Sequence, residues 1–252
     1  MRITVVGSAD AFNSAGRAHS CYVVDGVGTK PMMIDFGATA LAALKRAGRD
    51  PRELGAILIT HLHGDHIGGM PFLRIDGMYN LFRVEPLEIV GPIGTKARLD
   101  ALLAVAYGEL KHLDTAYEIR IREIAPGEPT EVLGARLLGF PAEHMDPPER
   151  PMCLRLTAPD GRSVAFSGDT AMCPGLFEAA DGVDLLVAEC TAMRPPAGRH
   201  CTWQEWEEAL PKIGAKRVLL THLNDEVREK APTLRVPGAD LAFAEDGMII
   251  EI

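Results

Sequence analysis

Ala56-Ile57-Leu58-Ile59-Thr60-His61-Leu62-His63-Gly64-Asp65-His66-Ile67-Gly68-Gly69 decides how the rest of the chain is read. Its apolar, β-branched opening has the pattern of a buried strand, predicted over Ile57–Thr60, and His61, His63, Asp65 and His66 follow directly. His61 and His63 leave the strand end two residues apart, so both imidazoles can point the same way. Gly64 then lets the backbone turn and bring Asp65 and His66 round. A single tetrahedral ion with an open catalytic position takes only three protein ligands, so this donor set implies two metals. A histidine cluster of this kind without metal would bury polar groups uncompensated, which is costly.

Three more strand ends each offer one donor. His144 follows the strand predicted over Ala135–Phe140. Asp169 closes Val164-Ala165-Phe166-Ser167-Gly168-Asp169-Thr170, and His222 closes Arg217-Val218-Leu219-Leu220-Thr221-His222. Asp35 ends the strand predicted over Pro31–Asp35, where a carboxylate either orients a metal-bound histidine or caps a turn.

The run Thr60-His61-Leu62-His63-Gly64-Asp65-His66-Ile67-Gly68-Gly69 resembles the signature of the metallo-β-lactamase superfamily in its dinuclear metallohydrolase form, His-x-His-x-Asp-His. The flavodiiron oxidoreductases of that superfamily carry Glu where this chain has His63, which points to hydrolysis rather than redox chemistry. The resemblance implies an α/β fold of four layers, an αβ/βα sandwich with two sheets face to face and helices outside. It also implies that His61, His63 and His144 hold one metal, that Asp65, His66 and His222 hold the other, and that Asp169 bridges them. Of the eight histidines, His19, His112 and His200 then remain.

Two divalent ions, two carboxylates and a bridging hydroxide leave about one net positive charge, which favours an anionic transition state. Metal binding can lower the pKa of water from about 15.7 toward ~7, and two ions clamp the substrate's oxygens. Zinc suits the histidine-rich set, with manganese and iron as alternatives.

Glu189 ends the apolar strand predicted over Leu185–Ala188, and His200 precedes Cys201-Thr202-Trp203-Gln204-Glu205. Thr202 with Glu205 is a capping-box pattern, which puts His200 in the loop just before a helix. A helix N-terminus disfavours imidazolium and a carboxylate restores it, with Glu189 as the partner. This pair resembles the Glu and His of the ribonuclease Z branch, in which the histidine protonates the leaving oxygen. Further matches to that branch are Gly7-Ser8 with Arg17 and Ser20, Ser167-Gly168-Asp169-Thr170, and Thr221-His222. Asp65, His200 and Glu189 are therefore the candidate catalytic residues. A surface histidine is the plain alternative for His200.

One departure bears on substrate. Ribonuclease Z of the tRNA-processing type carries a long tRNA-gripping arm between the positions of His144 and Asp169, where this chain has 24 residues. Net charge is −9, against the basic stripe expected of a nucleic-acid binder. A small or short phosphodiester, cyclic or nucleotide-derived, fits better than pre-tRNA or a stable nucleic-acid complex. The alternatives are a lactonase or glyoxalase II-like thioesterase, a tRNA 3′-processing endonuclease, and a metal-binding protein without turnover.

With 252 residues and 47% hydrophobic content, the chain suits a single domain over 1–252. Met1–Gly7 reads as a strand rather than a secretory leader, and no apolar run approaches the ~20 residues that span a bilayer. Five cysteines without Cys-x-x-Cys spacing read as reduced core residues, so a cytoplasmic location is expected.

Strands are also predicted over Arg2–Val6, Ser20–Val24, Leu87–Val90 and Glu118–Ile124. Helices are predicted over Ala38–Ala47 and from a Thr95 cap to about Leu110, with His112 answering the second helix's C-terminal dipole at the surface. The loop Gly7–His19 is either a connection or part of the active-site rim. Met70–Leu73 and Ile75–Tyr79 form an apolar stretch that packs in the core, walls the pocket or makes a homodimer contact. Trp203 and Trp206 are expected to be buried.

Overall fold

The apolar runs become short strands, several of them buried on both faces, which is the condition of parallel strands covered by helices. The computed structural model describes residues 1–110 and 115–252. Its strands are β1 (Arg2–Gly7), β2 (Cys21–Asp25), β3 (Met32–Ile34), β4 (Ala56–Leu58), β5 (Leu87–Pro92) and β6 (Ile119–Ile124). They continue as β7 (Thr130–Val132), β8 (Ala135–Pro141), β9 (Met152–Thr157), β10 (Ser163–Phe166), β11 (Leu185–Glu189), β12 (Val218–Thr221), β13 (Leu241–Phe243) and β14 (Ile249–Glu251). Among the described residues they form two seven-stranded sheets, ordered β14-β1-β2-β3-β4-β5-β6 and β13-β12-β11-β10-β9-β8-β7.

Three apolar layers follow from the period-two alternation of strand side chains. Ile34, Leu58 and Val90 of the first sheet face Leu154, Phe166 and Val187 of the second in a central core. Their neighbours Met33, Ile57 and Ile89 point the other way, against α1 (Ala40–Arg46), α3 (Met70–Tyr79) and α4 (Thr95–Ala106). On the second sheet Ala165, Leu186 and Leu220 pack outward on α5 (Pro174–Ala180), α6 (Trp203–Ala209) and α7 (Asp225–Lys230). The one-turn α2 (Gly64–Ile67) lies between β4 and α3. The result is the four-layer αβ/βα sandwich. Both tryptophans are buried as expected, all five cysteines are free and buried, and the Thr202–Glu205 capping box is formed.

Direction matters more for function than layer count. β3, β4 and β5 run parallel, and β1, separated from β3 by one antiparallel strand, runs with them. β10, β11 and β12 are likewise parallel, and β8 shares their direction because β9 opposes both β8 and β10. The C-terminal ends of β3, β4, β8, β10, β11 and β12 therefore carry Asp35, His61, His144, Asp169, Glu189 and His222 to neighbouring strand ends.

Some sequence expectations shift. β4 stops at Leu58, so His61 and His63 sit in the loop beyond the strand. The Thr95 hydroxyl donates to the Pro92 carbonyl, so it does not cap α4, whose N-cap is Gly94 in a left-handed conformation. The helix begun at Thr95 ends at Ala106, and a separate 3-10 turn covers Gly108–Leu110. The stretch Met70–Tyr79 is helical, its Pro71 placed in the first turn where a missing N–H costs nothing. It buries Met70 and Leu73 while Phe72 and Tyr79 stay exposed. His112 lies outside the described residues.

Phe166 is buried between the sheets, three residues before Asp169. Phe166→Ala is expected to lower stability by about 3–5 kcal/mol, measured by urea denaturation, since a cavity there has rigid sheet on both sides.

Candidate metal centre

Chain direction alone delivers the donors to one place; side-chain geometry shows how tightly. Ligand atoms of His61, His63 and His144 lie within 4.8 Å of one another, and so do those of Asp65, His66, Asp169 and His222. Asp169 stands between the two groups. Its Oδ1 is 3.3 Å from His66 Nε2, and its Oδ2 is 3.8 Å from His61 Nε2, 3.7 Å from His144 Nε2 and 3.4 Å from His222 Nε2. Asp65 Oδ2 closes the second group, 3.3 Å from His66 Nε2 and 3.6 Å from His222 Nε2.

Four imidazoles are oriented through their other nitrogen. His66 Nδ1 pairs with Asp35 Oδ2 at 2.7 Å, His144 Nδ1 with the Arg199 carbonyl at 3.0 Å, His61 Nδ1 with Thr60 Oγ1 at 3.1 Å, and His222 Nδ1 with Thr191 Oγ1 at 2.8 Å. Each leaves Nε2 directed inward. Nε2 of His61, His66 and His222 and Oδ1 of Asp169 are buried without any hydrogen-bond partner. Orphaned polar atoms this deep are costly unless something else satisfies them. His63 Nδ1 and His144 Nε2 lie 2.9 Å apart, a separation that asks for a shared proton or ion. Nitrogen and carboxylate donors converging in this way fit divalent metal.

Backbone strain marks the same edge. Asp35 and His222 both adopt left-handed conformations, φ 56° and 55°, uncommon for residues with a Cβ. Gly37 is held by the same packing, since a Cβ there would lie 1.8 Å from the Asp65 carbonyl oxygen.

His200 is no free surface histidine. Its Nδ1 is 2.9 Å from Glu189 Oε1, and its ring centroid lies 4.7 Å from that of His144 and 5.5 Å from that of His222. Glu189 is 1% exposed and also accepts from the backbone N–H groups of Thr170 (2.8 Å) and Cys201 (3.2 Å). Arg199 ties the neighbouring loops together. It donates to the His144 carbonyl and to Asp146, while its own carbonyl receives the His144 ring. The Gly7–His19 loop is also at this edge, bridged at Ala9 to Leu223, next to His222. Sequence reasoning brought out Asp35 and Glu189 but passed over Thr60, Thr191 and Arg199. Thr191 was detectable: it stands two residues beyond Glu189, on the same side of an extended strand end.

The profile of the family described as Anti-Pycsar protein Apyc1 matches residues 1–247. The chain belongs to that family. Among relatives of this Apyc1-family chain, an uncharacterised protein of Mycobacterium tuberculosis is 32% identical, covering 88% of this chain and 81% of its own. Ribonuclease Z of Methanothermobacter thermautotrophicus is 27% identical, covering 100% and 97%. Human tRNase Z, short form, superposes with a TM-score of 0.78 at 22% identity, covering 100% and 99%. The protein is a ribonuclease Z-like member of the metallo-β-lactamase superfamily and a metal-dependent hydrolase.

Charge and burial act against each other at the clustered donors of this Apyc1-family chain. Burial disfavours a charged His66, but Asp169 and Asp35 outweigh it and raise its pKa well above the usual value. His222 follows the same balance, burial opposed by Asp169 and Asp65, and rises to about 9. Burial dominates at His61 and lowers it. Protons on His66 and His222 thus stand in for cations, and a metal must displace them. Divalent-metal affinity should therefore rise with pH, through about 9 where His222 gives up its proton, and calorimetry in buffers of different ionisation enthalpy should show proton release. Asp35→Ala should weaken metal binding about 10–100-fold, because His66 loses the partner that fixes its ring.

Proposed function

We propose that this chain is a dinuclear metal-dependent phosphodiesterase acting on a small or nucleotide-derived phosphodiester. The observation that carries the reading is the Glu189–His200 pair set against both donor groups. His61, His63 and His144 would hold one ion and Asp65, His66 and His222 the other, with Asp169 shared between the two groups. Divalent ions held there, zinc in this reading, would supply the Lewis acidity that activates water near neutral pH and neutralises charge on the phosphoryl oxygens. The residues of the chain do the rest. Burial works against a protonated His200, but the hydrogen bond and charge of Glu189 outweigh it and raise the histidine's pKa. His200 then delivers a proton to the departing oxygen, a step that matters for an alkoxide leaving group.

Size selection follows from what surrounds the site. The chain between His144 and Asp169 consists of a short loop up to Pro151 and then the β9–β10 hairpin, whose strands end and begin at Thr157 and Ser163. That leaves no arm with which to grip RNA. Alignment with the Methanothermobacter ribonuclease Z runs over 306 residues against 252 here, so that relative carries additional segments. The ribonuclease Z relatives speak for phosphodiester chemistry rather than lactone or thioester hydrolysis.

Zinc-loaded protein should hydrolyse bis(p-nitrophenyl) phosphate, lose that activity to chelator and regain it on zinc addition. His200→Ala should reduce kcat by about 10²–10⁴-fold while metal content, read by plasma mass spectrometry, is retained. Turnover of a lactone panel that is indifferent to His200→Ala, with no diester cleavage, would overturn the proposal.

A further inference from the structure

The two halves of the centre repeat one arrangement. In the first, Asp35 Oδ2 accepts from Thr60 Oγ1 at 2.8 Å and from His66 Nδ1 at 2.7 Å, while Thr60 Oγ1 meets His61 Nδ1 at 3.1 Å. In the second, Glu189 accepts from Thr191 Oγ1 at 2.6 Å through Oε2 and from His200 Nδ1 at 2.9 Å through Oε1, while Thr191 Oγ1 meets His222 Nδ1 at 2.8 Å. Each unit is a buried carboxylate, a threonine and two histidines, one histidine held directly and one through the hydroxyl.

Proton bookkeeping fixes the direction of these bonds. An ionised carboxylate only accepts, so Thr191 spends its single proton on Glu189 Oε2. Its oxygen can then only accept from His222. When His222 gives up a proton to bind metal, the one on Nδ1 is held, and the lone pair appears on Nε2, the atom buried without a partner beside Asp65 and Asp169. His200 Nδ1 also lies 3.3 Å from Thr191 Oγ1, but its shorter bond is to Glu189. Glu189 is thereby saturated by four donors.

We infer that Thr191 is a positioning residue that locks His222 in its metal-binding tautomer and, through Glu189, ties that ligand to His200. The assignment rests on reading Asp65, His66 and His222 as the ligands of one ion; it does not require that the substrate be a phosphodiester. The Asp35 unit and the Glu189 unit have different consequences. Asp35 serves histidines of both donor groups, whereas Glu189 serves one ligand and one histidine outside the ligand set. A change at Thr191 should accordingly touch only one of two metal-binding steps.

The test is zinc titration of the chelator-stripped full chain against a competing chromophoric chelator, with wild type, Thr191→Val, Thr191→Ser, Thr191→Ala and His222→Ala compared. Thr191→Val is expected to weaken, by about 10–100-fold, the binding step that His222→Ala abolishes, leaving the other step unchanged. Thr191→Ser, which keeps the hydroxyl, should bind within about threefold of wild type. If Thr191→Val does not fold, as judged by its melting temperature without metal, Thr191→Ala carries the comparison. Wild-type affinity in the variants lacking the hydroxyl, or equal weakening in Thr191→Ser, would overturn the role. Zinc uptake with the expected Thr191 dependence but no diester cleavage would refute the proposed reaction and leave this role standing.

Discussion

Four imidazoles at one edge of this molecule each give a ring nitrogen to the protein so that the other stays free, and the surrounding fold serves that constraint. The partners differ in chemistry: a carboxylate for His66, a backbone carbonyl for His144, a threonine hydroxyl for His61 and for His222. Asp35, Thr60 and Thr191 stand just beyond strand ends, and the Arg199 carbonyl comes from the loop before α6. A ring free to rotate would gain entropy and form its own hydrogen bonds, and the donors would no longer converge. The inward-facing atoms of His61, His66 and His222 are instead left unsatisfied, a local cost that the apolar layers on either side of each sheet offset by burial.

Strand direction is the means by which this is achieved. Because β3, β4, β8, β10, β11 and β12 share their C-terminal edges, residues distant in sequence arrive together without any long connection. The two sheets contribute nearly equally, Asp35, Thr60, His61, His63, Asp65 and His66 from one and His144, Asp169, Glu189, Thr191 and His222 from the other. The site is thus held by the sandwich interface itself. Packing between Ile34, Leu58, Phe166 and Val187 sets the distance between the two halves of the centre.

Much of this was legible in the chain. The histidine-rich run after a β-branched strand, and the repeated device of a strand ending in His or Asp, gave the location of every donor. The capping box located His200, and the period of β11 placed Glu189 at its end. Less visible were elements whose signal is weak or ambiguous. α3 contains a proline and two short apolar runs that read as core, pocket wall or dimer contact without declaring a helix, and β7, β13 and β14 span only three residues each. Thr60 and Thr191 were missed for a different reason. A threonine at a strand end is ordinary by composition; spacing to Glu189 points to Thr191, but which atom a threonine's one proton faces is a property of three-dimensional placement.

The edge on which a connection lies also governs how such a molecule can acquire a new substrate. The turn between β9 and β10 is on the edge remote from the donors, whereas the segment from His144 to Pro151, with Asp146 clasped by Arg199, runs along their own edge. Residues added at the remote turn would enlarge the protein and leave its reactivity untouched. Residues added between Asp146 and Pro151 would overhang the reactive edge, gaining reach toward a larger ligand while pulling on the carbonyl and ring of His144. Breadth of recognition and integrity of the metal centre are coupled in that one short segment.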